Sequence, residues 1–315
     1  MRKFVLLSIL FLTVLPSKLS AKVERFLLEG MEKPVYYDAT KPLTDGDKGE
    51  TVVVMIHGWS GGAWKYVAHK DISERVPDLY VVEPLFARTV RMEAEGIKPD
   101  GRAIWNNSWT SNLKSRGLGA DDWRGGGDAE GTKMSSYDVV DRIFEILSNK
   151  KLYPNLKHIV LAGFSAGGQF VDRYVAVGKG KVRKGITLDF ISMSPSSNLR
   201  MQEDVPWHYG LANRPRYSAK TSLKKIWKNL ESRPVLKCCG DLDTTLPNLD
   251  QSPNAMAQGK NRYDRFVNYQ QFIKAWPKWE KMVTFHTIHG IAHESVKAYQ
   301  DPVVMDYIFN GTIKK

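Results

Sequence analysis

A serine becomes a useful nucleophile only where the chain presents it on a sharp turn and a base stands by to take its proton. Gly163-Phe164-Ser165-Ala166-Gly167 has the glycine-x-serine-x-glycine spacing of such a turn, and Gly168-Gln169-Phe170 continue it. The run HIVLAG enters the motif with strand character and GGQFVDRYVAV leaves it with helix character. Ser165 is therefore expected on a tight strand-to-helix turn. Side chains at positions 163 and 167 would collide across that turn, which holds the serine in a sparsely populated backbone conformation.

The base and the acid that orients it follow such a nucleophile in the order serine, acid, histidine. Of seven histidines, His57, His69 and His158 precede Ser165, His208 lies well upstream of the acid candidates, and His286 sits inside a strand-like run. His293 follows the last such run in a Gly290-Ile291-Ala292 loop, directly before a helical stretch, and is the expected base. His289 is the alternative. For the acid, Cys239-Gly240-Asp241-Leu242-Asp243-Thr244 offers two carboxylates in one turn. Asp243, displaced past the glycine, is expected to point back towards the base, leaving Asp241 to cap backbone amides. A tetrahedral intermediate needs two amide donors for its oxyanion. Ala166 supplies one; the other is assigned to the Trp59 amide in His57-Gly58-Trp59-Ser60-Gly61-Gly62, where Gly58 lets the backbone approach. His57 itself reads as a buried turn histidine bonded to backbone.

Short β-branched runs at 51–56, 79–83, 158–163, 186–193, 234–239 and 282–288 read as strands buried on both faces. Between them lie helical patterns, the clearest at 136–149, and a last one at 294–309 is interrupted by Pro302. The alternation predicts an α/β fold with a mostly parallel central sheet and helices on both faces. Segment 86–135 is different, rich in glycine and carrying Trp105, Trp109 and Trp123. It reads as an excursion at the active-site end of the sheet, either a functional platform or an ordered loop pinned by its tryptophans.

The rest of the composition narrows the classes. A net charge of +12 comes from bases interspersed with acids, and no base-reading helix or aromatic ribonucleoprotein motif appears, so no nucleic-acid partner is expected. The only cysteines, Cys238 and Cys239, are adjacent, which excludes a disulfide scaffold and favours two reduced thiols. No histidine or cysteine spacing suits a metal, and no glycine fingerprint suits a nucleotide, so neither metal nor cofactor is expected. Arg2 and Lys3 precede an apolar run from Phe4 to Leu15, ended by Pro16 and a Leu19-Ser20-Ala21 cleavage-like site. Residues 1–21 read as a signal peptide and 22–315 as one domain, in a secreted or periplasmic protein without stable membrane insertion.

Further segments carry a resemblance: HG followed by a loop and Tyr66, PNLKHIVLAGFSAGGQFVDRY at 154–174, SPSS at 194–197, WHYGL at 207–211, GDLDT at 240–244, QGKNRYDR at 258–265 and HGIAHES at 289–295. In this order they resemble α/β-hydrolases whose nearest biochemical relatives are similar to polyhydroxybutyrate depolymerases and feruloyl esterases. The resemblance implies the α/β-hydrolase fold, with Ser165, Asp243 and His293 as a triad cleaving carboxylic esters through an acyl-enzyme. It supplies no particular substrate. Phe164 replaces a more frequent histidine, a change expected to alter the crevice without removing the chemistry. SPSS and WHYGL read as structural turns, and Arg262 and Arg265 as partners of nearby acids rather than readers of an anionic substrate. Acyl transfer or amide hydrolysis would use the same residues. A binding or envelope protein on the same scaffold is the non-catalytic alternative, and the intact serine, acid and histidine set argues against it. With no long apolar helix to act as a lid, soluble short-chain esters are the expected substrates.

Overall fold

The computed structural model describes residues 22–59, 76, 79–98, 100–105, 122–246 and 248–311. The β-branched runs become the centre of an eight-stranded sheet, since such side chains fit a pleated surface covered on both faces. In chain order the strands are β1 (Glu24–Leu28), β2 (Val35–Ala39), β3 (Thr51–Ile56), β4 (Tyr80–Pro84), β5 (His158–Phe164), β6 (Thr187–Met193), β7 (Val235–Gly240) and β8 (Val283–Ile288). They lie in the order β1-β2-β4-β3-β5-β6-β7-β8. From β4 to β8 every pairing is parallel, while β1 and β2 join antiparallel.

Register follows from alternation. Val52, Val54 and Ile56 of β3 share one face with Ile159 and Leu161 of β5, whereas Val53 and Met55 share the other with Val160 and Ala162. Burying each large aliphatic side chain contributes about 1.5–3 kcal/mol, so a one-residue slip that exchanged the faces is strongly opposed.

Helix α1 (Ser136–Leu147) starts at a capping box, with the Tyr137 amide donating to Ser135 Oγ and the Ser135 amide to Asp138. It buries Val140, Ile143, Phe144 and Leu147 against the first face. Helix α2 (Ala166–Val177) is buried along its whole length. Helix α3 (Arg262–Ile273) begins at the Asn261 cap, whose side chain accepts from the Asp264 amide. The second face is covered by α4 (Ser295–Tyr299) and α5 (Pro302–Asn310), through Tyr299, Val304, Tyr307 and Ile308. Pro302 splits that last pattern because it opens α5 as its first residue, and Asp301 caps the amides of Val303 and Val304.

Three features depart from the sequence expectations. The antiparallel strands β1 and β2 carry mixed polar and aromatic residues with no apolar run; they are held by Arg25 on Asp38 at 2.7 Å and Phe26 beside Tyr37. The inner residues of β8 are only half-buried, because nothing pairs with its outer edge among the described strands. For segment 86–135 the second of the two readings holds at Trp105 and Trp123, which pin it to the core at 1% and 0% exposed. Trp123 stacks on Phe86 with centroids 5.2 Å apart, and Trp105 meets Phe86 edge-on at 5.3 Å. Both rings belong to the core, where their area is worth most. Trp109 lies outside the described residues, as do residues 1–21.

Candidate active site

The chain continues from β3 to β4 on one side and returns to β5 on the other, so a crevice opens beside the carboxyl ends of β3 and β5. Ser165 stands there, between β5 and α2, at φ 57° and ψ −113°. A non-glycine residue adopts positive φ only where its surroundings enforce it. The enforcement is visible: a Cβ added at Gly163 would come within 2.3 Å of the Gly167 backbone, and one at Gly167 within 2.1 Å of the Ile56 carbonyl oxygen. The Ser165 amide donates to the Met193 carbonyl at 2.9 Å, fastening the turn to β6.

His293 follows β8 and precedes α4, and its Nε2 lies 2.9 Å from Ser165 Oγ. Its Nδ1 lies 2.7 Å from Asp243 Oδ2. The carboxylate accepts a proton-bearing Nδ1, which leaves the Nε2 lone pair to accept from the serine hydroxyl. Two loops make this contact possible. The amides of Asp241 and Leu242 donate to the carbonyls of Ile288 and Ile291, at 3.2 and 3.1 Å. A Cβ at Gly240 would meet the Ile291 carbonyl oxygen at 2.2 Å, so only glycine lets the acid-bearing and base-bearing loops close up.

The Asp243 side chain is wholly buried, and that of His293 is 24% exposed. Burial lowers the His293 pKa below its ordinary value; the hydrogen bond to Asp243 works upward, and the Arg262 charge pushes downward again. The net result favours a neutral imidazole, the form a base must start in.

The other candidates are placed elsewhere. His289 is exposed and bonded to Asp241 Oδ2 at 2.9 Å, while Asp241 Oδ1 accepts from the Gly290 amide at 2.8 Å. Asp241 thus braces the turn and holds a second histidine. His286 Nε2 meets Asp301 Oδ1 at 2.9 Å, behind α5. His57 is fully buried, donating from Nδ1 to the Gly58 carbonyl at 2.8 Å and accepting the Phe86 amide at Nε2 at 3.1 Å. Burial pushes its pKa down to about 3, so it stays neutral.

Ala166 opens α2 beside the serine, and Trp59 lines the same cavity of about 200 Å³ as Ser165, Phe164, Asn248 and His293. Arg88 and Arg124 flank the Trp59 ring at 4.2 and 5.4 Å from its centroid. Among the described residues, a Cβ at Gly58 would meet the Phe164 carbonyl oxygen at 3.8 Å, an ordinary contact.

Two residues that the sequence marked only in outline, Phe164 as a change in the crevice and Arg262 as the partner of a nearby acid, take definite places at the site. The Phe164 ring lies 4.6 Å from the His293 imidazole, forming one wall beside the base. Arg262 lies behind Asp243, Nη1 to Oδ1 at 3.5 Å, with both side chains fully buried. Arg265 donates to the carbonyls of Gly259, Ser196 and Asp250. Neither arginine is free to receive an anionic substrate. The QGKNRYDR segment gave the only sequence signal, and nothing in it says which residue turns back towards the acid.

Neither a protein-family model nor a curated protein matches the sequence. Solved structures do. LpqC, a poly(3-hydroxybutyrate) depolymerase from Bordetella parapertussis, superposes with a TM-score of 0.66 at 20% identity, over 94% of this chain and 92% of that one. Poly(aspartic acid) hydrolase-1 from Sphingomonas sp. KT-1 gives 0.64 at 20% identity, over 91% of this chain and 100% of that one. The chain has the α/β-hydrolase fold. Within the α/β-hydrolase fold the turn after the fifth strand of this sheet and the loops after the last two strands converge, and there Ser165, Asp243 and His293 meet.

Proposed function

We propose that this chain is a serine hydrolase that cleaves carboxylic esters through an acyl-enzyme. The carrying observation is the unbroken chain from Ser165 Oγ through His293 to Asp243, starting on a turn whose backbone is held at positive φ. Ser165 Oγ attacks the ester carbonyl carbon as its proton passes to His293 Nε2, and Asp243 stabilises the imidazolium that forms. The carbonyl oxygen becomes an oxyanion facing the amides of Ala166 and Trp59. Collapse of this intermediate breaks the bond to the alcohol, which leaves with the proton from His293. Water then repeats the sequence on the acyl-enzyme, giving its proton to His293, and the carboxylic acid departs as Ser165 recovers it.

The substrate is read as a small-molecule or polymer ester. LpqC, named as a depolymerase of a polyester, supports that range by fold likeness. The apolar run Phe4–Leu15 behind Arg2 and Lys3 supports export to a periplasm or the medium. Labelling by a fluorophosphonate probe tests the reading directly: the adduct should map to Ser165 by mass spectrometry and vanish in Ser165→Ala. A folded protein that neither takes the label nor hydrolyses aryl acetates is a scaffold rather than an enzyme.

A further inference from the structure

A buried carboxylate holds its geometry only when both of its oxygens are answered. Asp243 Oδ2 receives His293 Nδ1. Its Oδ1 is buried without a hydrogen bond, and the cation that faces it is Arg262 Nη1 at 3.5 Å. Arg262 is the first residue of α3, and its Nη2 donates to the Asn248 carbonyl at 2.8 Å. The Tyr263 amide beside it donates to the Asp243 carbonyl at 3.3 Å. Asn248 in turn lines the cavity at Ser165. One guanidinium therefore touches the back of the acid and the wall of the crevice.

We infer that Arg262 is a positioning residue of the site, the buried counter-charge that fixes Asp243 against His293 and ties that pair to the Asn248 wall. The inference rests on the serine-hydrolase reading for its catalytic meaning, though not for its geometry. A single charge placed behind the carboxylate has two effects on the base. It limits how far Asp243 can favour the imidazolium, because Arg262 repels the same proton that Asp243 attracts. It also removes the freedom of the carboxylate to rotate away, since the rear oxygen faces a cation rather than a void.

Among the described residues the surrounding charges are few enough to make the effect readable. His293 is faced by Asp243 from the loop after β7, by Arg262 from α3, by Ser165 from the elbow and by the uncharged Phe164 ring. Glu294 on its own loop is engaged by the Ala292 amide and by Lys297. Asp241 is paired with the exposed His289. Arg262 itself is faced by Asp243 and by Cys239 of β7, with Arg265 one turn along α3.

The test is an NMR pH titration of the His293 imidazole in the full chain, comparing wild type with Arg262→Met and Arg262→Lys, alongside kcat/KM for an aryl acetate. The His293 midpoint should move to higher pH in Arg262→Met and stay near wild type in Arg262→Lys. The rate at neutral pH should fall by about 10-fold or more in the methionine variant, as expected when a reacting group loses its alignment. An unmoved or lowered midpoint in folded Arg262→Met would overturn the inference, and so would a lysine variant that follows the methionine one. If the methionine variant does not fold, Arg262→Gln is titrated in its place under the same criterion. The titration needs no turnover, so absence of esterase activity or of Ser165 labelling would sink the hydrolase reading while the result for Arg262 still stands or falls separately.

Discussion

Ser165 contributes one oxygen, and its removal should separate chemistry from folding. Ser165→Ala should abolish ester hydrolysis while the thermal midpoint stays close to wild type, because among the described residues Oγ is hydrogen-bonded to His293 Nε2 alone. Activity surviving in a purified alanine variant would remove the nucleophile from the proposal. The two carboxylates of the acid turn should differ sharply. Asp243→Asn offers His293 an amide that permits the wrong tautomer, and turnover should fall on the order of 10⁴-fold. Asp241→Asn should cost little, since its partners are the Gly290 amide and an exposed histidine remote from Ser165. Steady-state kinetics on both variants decide the ranking, and the reverse order would make His289 and Asp241 the working pair. The pH profile has a definite sign. Burial lowers the His293 pKa, so the neutral base persists below the ordinary histidine value of about 6.5, and kcat/KM should hold into mildly acidic solution before its acid limb falls. A limb centred above that value would mean that Asp243 outweighs burial.

At the scale of the elements, what was legible in the sequence was what the backbone enforces locally. The strand runs, the elbow and the Pro302 break each rest on a few consecutive residues, and the observed bounds shift by only a residue or so, as with β5 running to Phe164. At the edges, β1 and β2 escaped the reading and β8 was read as a strand but not as a half-buried one, because edge pairing is set by tertiary contact. ERFLL in β1 finds its place through Arg25 on Asp38, a contact between separate strands. That Arg262 partners an acid was legible, but not which acid, because the contact joins α3 to the loop after β7, with Asn248 14 residues away in the chain. The tryptophans show the limit most clearly, since composition cannot tell a platform from a core. Trp123 stands among His57, Phe86 and Phe170 with no exposure, so its substitution should act through stability. Trp123→Ala should cost about 3–5 kcal/mol, the range for an aromatic lost from a packed core. Denaturant unfolding measures this, and an unchanged transition with altered acyl preference would restore the platform.

For the molecule as a whole, substrate size is read from the shape of the crevice at Ser165. The cavity at Ser165 holds about 200 Å³, less than the ~300–1,000 Å³ usual for drug-sized ligands. Among the described residues its wall includes Met55, Ile56, Phe164 and Tyr299, apolar surfaces that favour a short hydrocarbon. Three of these side chains, Met55, Phe164 and Tyr299, belong to the core cluster on the second face of the sheet, so enlarging the cavity would mean unpacking the core. Among the described residues no helix is long and apolar enough to cross a membrane, and the exposed large apolar side chains Leu242 and Leu246 flank Asp243 rather than forming a helical cover. Acetyl and butyryl aryl esters should therefore be cleaved fastest, with kcat/KM falling as the acyl chain lengthens and no jump in rate where the substrate begins to form micelles. An acyl-length series carried across the micellar threshold measures both features at once. Preference for long-chain emulsions would require the crevice to open well beyond this volume and would turn the esterase reading into that of a lipase. Replacing Met55 by Ala should relax the chain-length limit at a cost in stability of about 2–5 kcal/mol, because the deleted side chain belongs at once to the pocket wall and to the core.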